Sequence, residues 1–241
     1  MKKTLLLFLS FYTILGFGQE SDSLKVRSDF NYKSLIAPTA LIGAGTLLLH
    51  SDLNSRLQTD VTSFFGNDFH EPMDNIFPLV PIAQIYAGKY LGFQPKNNFR
   101  QQTINLAVAN TATLILITAL KHSVKEERPD ASDELSFPSG HAAIAFTNAT
   151  LLFYEYKESN IWYASSGFLF AAATGVFRVA NDRHFTSDVL TGSGIGLVSG
   201  ILVSHFNPFQ SLQFGKNKKS TALVFPQIGS QIGFGMLVNL E

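Results

Sequence analysis

The chain has 241 residues, no cysteine and a formal net charge of zero. That length supports one domain with a sizeable core. The lack of cysteine excludes disulfides, thiolate metal sites and a cysteine nucleophile. The balanced charge lacks the broad basic field that nucleic acid requires, so nucleic-acid partners are set aside.

Lys2 and Lys3 precede an apolar stretch over 5–15, and Gly16 and Gly18 follow, two apart, before Gln19. This pattern predicts a secretory signal peptide over 1–18 and export to the periplasm or cell envelope. An uncleaved anchor is the alternative, and it uses the same export machinery. A polar segment, 19–34, comes next. Six apolar segments then run over 35–49, 76–91, 103–120, 141–154, 161–179 and 189–206. Each is long for a strand and rich in Ala, Leu, Ile and Gly, which favours helices. Breaks at Glu71-Pro72, Gln94-Pro95, Arg128-Pro129 and Asn207-Pro208 match helix ends. The expected fold is all-α, a bundle of about six helices over 35–210 with its active site at one end. After the charged link 216–219, the stretches 221–227 and 231–240 flank Ile228-Gly229-Ser230. They predict a short C-terminal β-hairpin within a 211–241 tail.

Segments 101–120 and 159–177 carry no charge and are long enough to span a bilayer. Segment 76–91, with Pro78, Pro81, Gln84 and Lys89, makes a poor span. If all six segments crossed after a cleaved signal peptide, the loops after the third and fifth would face the cytoplasm. Those loops carry the chemistry below. A globular helical domain or incomplete spanning is therefore the simpler expectation, with membrane association left open.

Three clusters carry candidate chemistry. Lys121 and, seven residues on, Arg128-Pro129 close the third segment. Arginine offers a planar fork for phosphate and lysine a mobile point charge, although a basic helix end facing solvent has the same composition. Ser136-Phe137-Pro138-Ser139-Gly140-His141 opens the fourth segment. Unbonded backbone N–H groups at a helix start, with glycine permitting close approach, suit an anion. His141 on the first turn is within reach of its leaving group; a plain helix cap is the alternative. Arg178, His184 and Asp188 bridge the fifth and sixth segments. His184 and Asp188, four apart, share a face if that stretch is helical. A carboxylate on one imidazole nitrogen fixes the tautomer and leaves the other nitrogen to attack, whereas a bare helix-start pair would do neither. All three clusters fall at segment ends on one side of an up-down bundle.

Lys121-x6-Arg128-Pro129, Pro138-Ser139-Gly140-His141 and Arg178-x5-His184-x3-Asp188 together resemble the three-part signature of the type 2 phosphatidic acid phosphatase and vanadium haloperoxidase superfamily. The run His184-Phe185-Thr186-Ser187-Asp188-Val189, with Gly192 after it, is similar too. One departure is Phe177, where that family usually carries serine before the arginine. The resemblance implies a phosphatase that needs no metal and no cofactor, acting on a phosphorylated small molecule or a lipid phosphate or diphosphate. In it His184 attacks phosphorus, Asp188 orients His184, and His141 protonates the leaving alcohol and then activates water. Lys121, Arg128, Arg178, Ser139 and the Gly140 N–H bind the phosphate oxygens. A vanadate-dependent haloperoxidase and a non-catalytic envelope protein with a degenerate site are the competing expectations. His70-Glu71 sits in a polar loop and is expected at the surface, with the lining of an entrance as the alternative.

Overall fold

The structure, a computed structural model, describes residues 30–66, 69–207 and 209, and the backbone of 221–228 and 232–239. The expected signal peptide, most of the polar 19–34 segment and the link 216–219 lie outside the described residues. A 3-10 turn, Tyr32–Leu35, leads into α1 (Ile36–Leu48) and α2 (Asp52–Phe65). Two further 3-10 turns, Pro72–Asn75 and Phe77–Leu79, precede α3 (Val80–Ala87). The longer helices follow: α4 (Phe99–Val124), α5 (Gly140–Tyr156), α6 (Ile161–Ala180) and α7 (Thr186–Phe206).

Local chemistry accounts for the boundaries. Ser51, Asn98 and Asn160 each accept a backbone N–H three residues ahead, at 3.2, 2.9 and 2.9 Å, and so start α2, α4 and α6. Left-handed residues end two helices: Lys125 (φ 54°) after α4 and Asn207 (φ 48°) after α7. Helix α2 is absent from the six expected segments for a physical reason. Its apolar residues Leu53, Leu57, Val61 and Phe64 recur at helical spacing with polar residues between them, so they form a stripe and not the unbroken apolar run that marks the other segments, and the residues it buries are Asn54 and Gln58.

Helix α5 lies at the centre, packed on α7, α6, α4 and α3. Its first half buries small residues, Ala142, Ala143, Ala145 and Ala149, and its second half buries Leu151, Leu152 and Tyr156 in an apolar cluster with Ile85 and Leu106. Gly196 on α7 lets the two helices approach so closely that a methyl group there would collide with the Ala143 carbonyl oxygen. Much of the interior is polar and internally bonded: Thr113 and Thr147 share a hydroxyl bond of 2.9 Å, and Asn110 donates to Asn148 at 2.8 Å. Large apolar side chains such as Leu47, Leu114, Ile115, Trp162 and Leu169 point outward. Close packing through small residues and internal polar bonds, with apolar groups outside, is the pattern of helices associating in lipid.

Two described helices are long and apolar enough to cross a membrane, α4 and α7, and a third span requires α1 and α2, bent by 99°, to count as one. Only 28% of the most apolar window of α4 is buried, so most of that helix has no protein covering it. Of the two segments singled out in the sequence, 101–120 lies in α4. The other lies in α6, where Ser165, Ser166, Thr174 and Arg178 dilute the apolar run, and α7 takes its place.

The expected fold class requires one correction. The fold is a helical bundle, and a C-terminal β-hairpin is not supported as part of it. The stretches Thr221–Ile228 and Ile232–Asn239 run antiparallel as a two-stranded ladder bonded to one another. A two-stranded ladder by itself is only marginally stable and does not make a layer of the fold. Alternating residues around a turn are enough to suggest a hairpin in the sequence, but not to give it a core.

Replacing Gly196 with alanine is expected to destabilise the fold by about 1–3 kcal/mol through overpacking of α5 on α7. Thermal melts followed by circular dichroism check this, and an unchanged melting temperature would mean the helices stand further apart than described.

Candidate active site

The antiparallel course of α4 to α7 brings the C-terminal ends of α4 and α6 to the N-terminal ends of α5 and α7. Direct bonds join these ends. The Asp188 backbone carbonyl accepts the Ser139 N–H at 3.0 Å. Lys121 Nζ donates to the carbonyls of Leu135 and Ser136, the latter at 3.0 Å. Gly192 lies so close to Ser139 that a side chain there would meet the Ser139 carbonyl oxygen, which ties the start of α5 to α7.

His184 is 1% exposed and lies in the turn before α7, not on a continuous helix with Asp188. Asp188 is the third residue of α7, and its Oδ2 accepts the Phe185 backbone N–H at 3.0 Å, one half of a capping box. That capping contact, rather than a shared helical face, brings the pair together, with His184 Nδ1 at 3.3 Å from Asp188 Oδ2. Ser136 Oγ donates to the same oxygen at 2.5 Å, and Ser187 Oγ donates to Oδ1 at 3.1 Å. Asn54 of α2 fastens Ser187 twice, accepting its N–H at 3.1 Å and donating to its Oγ at 2.8 Å. A carboxylate on Nδ1 keeps the hydrogen there and leaves the lone pair on Nε2. Nε2 faces Arg128 Nη1 at 3.4 Å.

An open cavity of about 400 Å³ lies against this turn, and Arg128 and Arg178 form part of its wall together with Arg183. Arg128 is held by Asp133, which accepts from Nε at 2.8 Å, and by the Arg183 carbonyl at 3.0 Å. Arg178 is buried against Asp74, with Nη1 to Oδ2 at 3.0 Å. Removing either partner of such a buried pair costs about 3–5 kcal/mol. The Arg178 Nε is buried with no acceptor among the described residues. A buried donor of that kind is costly unless a ligand supplies the oxygen. His70 and Glu71, in a loop where His70 is exposed, line the cavity as well.

His141, on the first turn of α5, sits beside the cavity wall with Nε2 3.0 Å from Asn75 Oδ1. Burial, and then Arg178, lower its pKa from 6.5 to about 4. Burial likewise takes His184 down to about 4, against the pull of Asp188 in the other direction. Both imidazoles are therefore neutral near pH 7. Ser139 caps α5 and Gly140 is its first residue, with Ser139 Oγ 3.5 Å from the Ala142 N–H. Arg128, Arg178, His141 and His184 thus gather at one end of the bundle. Lys121 and Ser139 lie a layer behind, bonded to the backbone that shapes the site.

Phe177 is outside this constellation. Its ring packs with Phe65, Phe69 and Phe77 at centroid distances of 6.2, 5.6 and 5.8 Å. An aromatic cluster occupies the place where the resemblance implies a hydroxyl. Asp74, Asn75, Asn54 and Asn181 are site residues that the sequence does not reveal, since each acts on a partner far along the chain with no local motif around it. Ser136 stands within the second cluster, and its hydroxyl next to a helix start was the available signal.

The model of the PAP2 superfamily matches residues 102–211, a range that holds all three clusters. The chain belongs to the PAP2 superfamily. Relatives of this PAP2 chain include a Lipid A 1-phosphatase of Porphyromonas gingivalis, 32% identical over 163 residues that cover 67% of this chain and 36% of the relative. A PA-phosphatase related-family protein of Dictyostelium discoideum is 29% identical over 153 residues, 53% of this chain and 56% of the relative. The chain thus spans little more than a third of the first relative's length and just over half of the second's. The crystal structure of Aquifex aeolicus LpxE aligns with a TM-score of 0.48 at 24% identity, covering 64% of this chain and 95% of that one.

The depressed His184 pKa has a consequence for stability. Its folded value lies below the unfolded 6.5, so the stabilisation is complete above pH 6.5 and is lost as pH falls toward 4. Up to about 3 kcal/mol is at stake across that window. Thermal stability of the wild type is expected to fall more steeply between pH 6.5 and 4 than that of His184→Gln. Parallel curves would mean the buried imidazole is already charged.

Proposed function

We propose that this chain is a phosphatase that hydrolyses a phosphate monoester or diphosphate carried on a lipid, through a phospho-histidine formed on His184 and without a metal ion. The observation that carries this reading is the His184 imidazole. It is held at Nδ1 by Asp188, with Nε2 turned toward the Arg128 guanidinium in the cavity wall. An entering phosphoryl group draws that guanidinium onto its own oxygens and uncovers the Nε2 lone pair. Arg178, whose Nε has no protein acceptor among the described residues, supplies a further donor. Lys121 and the N-terminal N–H groups of α5, with Ser139 and Gly140, add positive potential as charge shifts in the transition state. Those cations do the work of neutralisation that a metal would otherwise do.

The steps balance without an added reactant other than water. The Nε2 lone pair forms a bond to phosphorus as the bond to the leaving oxygen breaks, and that oxygen takes a proton from His141. Binding of an anion beside His141 raises its pKa toward the working range, so that the imidazole carries the proton when it is needed. A water then gives a proton to His141 and attacks phosphorus, and the phosphorus–nitrogen bond breaks to release phosphate. Asp188 holds the His184 ring throughout.

The lipid part of the reading rests on the helices. Helix α4, about 39 Å long at the rise of an α-helix, and α7 each suit a bilayer, and the site lies where the end of one meets the start of the other. A phosphorylated headgroup sits at that depth. The similarity to a protein named Lipid A 1-phosphatase points the same way. The N-terminal segment 1–18 supports export to the cell envelope.

Rapid quench with a 32P-labelled lipid phosphate is expected to trap an acid-labile, base-stable label on the wild type and none on His184→Ala. Turnover by that variant within about tenfold of wild type would place the nucleophile elsewhere. EDTA is expected to leave the rate unchanged, and a large loss restored by a divalent ion would require a metal mechanism.

A further inference from the structure

The 3-10 turn Pro72–Asn75 lies outside the matched range 102–211 and outside all three motifs, yet its last two residues touch two of them. Asp74 is 2% exposed, and its Oδ2 accepts both from Arg178 Nη1 at 3.0 Å and from Asn181 Nδ2 at 2.9 Å. Asn181 also grips the backbone of Glu71, accepting its N–H at 3.0 Å and donating to its carbonyl at 2.9 Å. The turn is therefore fastened to the end of α6 on both sides of Pro72. Successive residues of a 3-10 helix lie about 120° apart, so Asn75 leaves the buried face that Asp74 occupies. It lines the cavity and meets His141 Nε2 at 3.0 Å.

We propose that this turn is a fourth part of the catalytic apparatus, with Asp74 as the positioning residue of Arg178 and Asn75 as the positioning residue of His141. The proposal rests on the phosphatase reading for its kinetic consequences, though not for its geometry. With Oδ1 of Asn75 as acceptor, the His141 hydrogen resides on Nε2 and Nδ1 carries the lone pair. Asn75 lines the cavity, so the N–H aimed at it is aimed toward the bound substrate. When anion binding lets Nδ1 take up a proton, the imidazolium gives its Nε2 hydrogen to the leaving oxygen, which replaces Asn75 Oδ1 as the acceptor, and the ring returns to neutral with its hydrogen on Nδ1. Asn75 thus keeps the acid's proton on the productive nitrogen before substrate arrives, and Asp74 keeps the nearest arginine from swinging into the space.

The charges around His141 make the arrangement testable by pH. Arg178 from α6, Arg128 from the loop after α4 and Lys121 from α4 all disfavour its protonated form, and Asp74 from the turn favours it. A carboxylate placed at residue 75 would oppose the three cations. A general acid must be protonated to act, so activity is lost as pH rises through its pKa in the substrate complex. A raised pKa moves that basic limb to higher pH.

The test uses the full-length protein and compares kcat for an alkyl phosphate with kcat for 4-nitrophenyl phosphate, whose leaving group needs little protonation. Asn75→Ala is expected to slow the alkyl phosphate about tenfold and to leave the nitrophenyl ester nearly unchanged. Asn75→Asp is expected to restore most of the alkyl rate and to move the basic limb upward by about one pH unit. Equal slowing of both substrates with an unmoved limb would reduce Asn75 to a loop residue and overturn the proposal. Asn75 is exposed, so these variants do not depend on a core change, whereas Asp74→Asn is buried and is scored only alongside its melting temperature. A second arm needs no turnover. The His141 ring, followed by 15N NMR, is expected to carry its hydrogen on Nε2 in the wild type and to lose that preference in Asn75→Ala. An Asn75-dependent tautomer in a protein without phosphatase activity would sink the functional reading and keep the positioning. Phosphatase activity that depends on His184, with a tautomer indifferent to Asn75, would do the reverse.

Discussion

The carboxylate of Asp188 is the point on which the site turns. It accepts the Phe185 N–H that starts α7, the hydroxyls of Ser136 and Ser187, and the Nδ1 side of His184. These donors come from the loop before α5, from the α6–α7 turn and from α7 itself. One buried anion therefore performs two tasks: it caps a helix and it sets the ring and the tautomer of an imidazole. Its position is in turn held through Ser187 by Asn54 of α2. A charge with four donors is well compensated in a buried setting, whereas the loss of any one would leave the others to reorganise.

Around that anion the arginines are paired, Arg128 with Asp133 and Arg178 with Asp74. Two histidines that burial keeps neutral lie beside them. The pairing leaves part of the guanidinium donors over. Arg178 is the clearest case, since Asp74 satisfies one end of its guanidinium while Nε has no acceptor among the described residues. The same neutrality leaves His184 with a lone pair on Nε2, the nitrogen that faces Arg128.

The bundle packs in large part through small and internally bonded residues. Alanine, glycine, threonine and asparagine make much of the contact of α5 with its neighbours, beside an apolar cluster of Ile85, Leu106, Leu151, Leu152 and Tyr156, while many large apolar side chains, Leu47, Leu114 and Trp162 among them, point outward. In lipid there is no hydrophobic gain from burying leucine between helices, so close approach and internal polar bonds take over. The close contacts at Gly192 and Gly196 serve the site as well as the packing, because they bring the start of α5 within bonding reach of the α6–α7 turn.

Much of this was legible from the chain alone, and the reason differs from residue to residue. Lys121, Arg128, Ser139, Gly140, His141, Arg178, His184 and Asp188 sit in short runs whose spacing is itself the signal, and long apolar stretches announce helices by length. Asp74, Asn75 and Asn54 were silent because a contact across 66 to 133 residues leaves no local pattern. Helix α2 was missed because its apolar stripe, Leu53, Leu57, Val61 and Phe64, is interrupted by polar residues and makes no continuous apolar run, and Phe177 gave no hint that it belongs to an aromatic cluster rather than to the site. The C-terminal alternation was misleading, since period and turn chemistry specify a ladder without specifying anything for it to pack on. Sequence by itself determined which groups are present and that they lie at helix ends, because caps, breakers and apolar length act within a few residues. Only the tertiary structure decided which nitrogen of each histidine faces the cavity and which partner holds each arginine, because those choices depend on distances between segments that meet only once the bundle has closed.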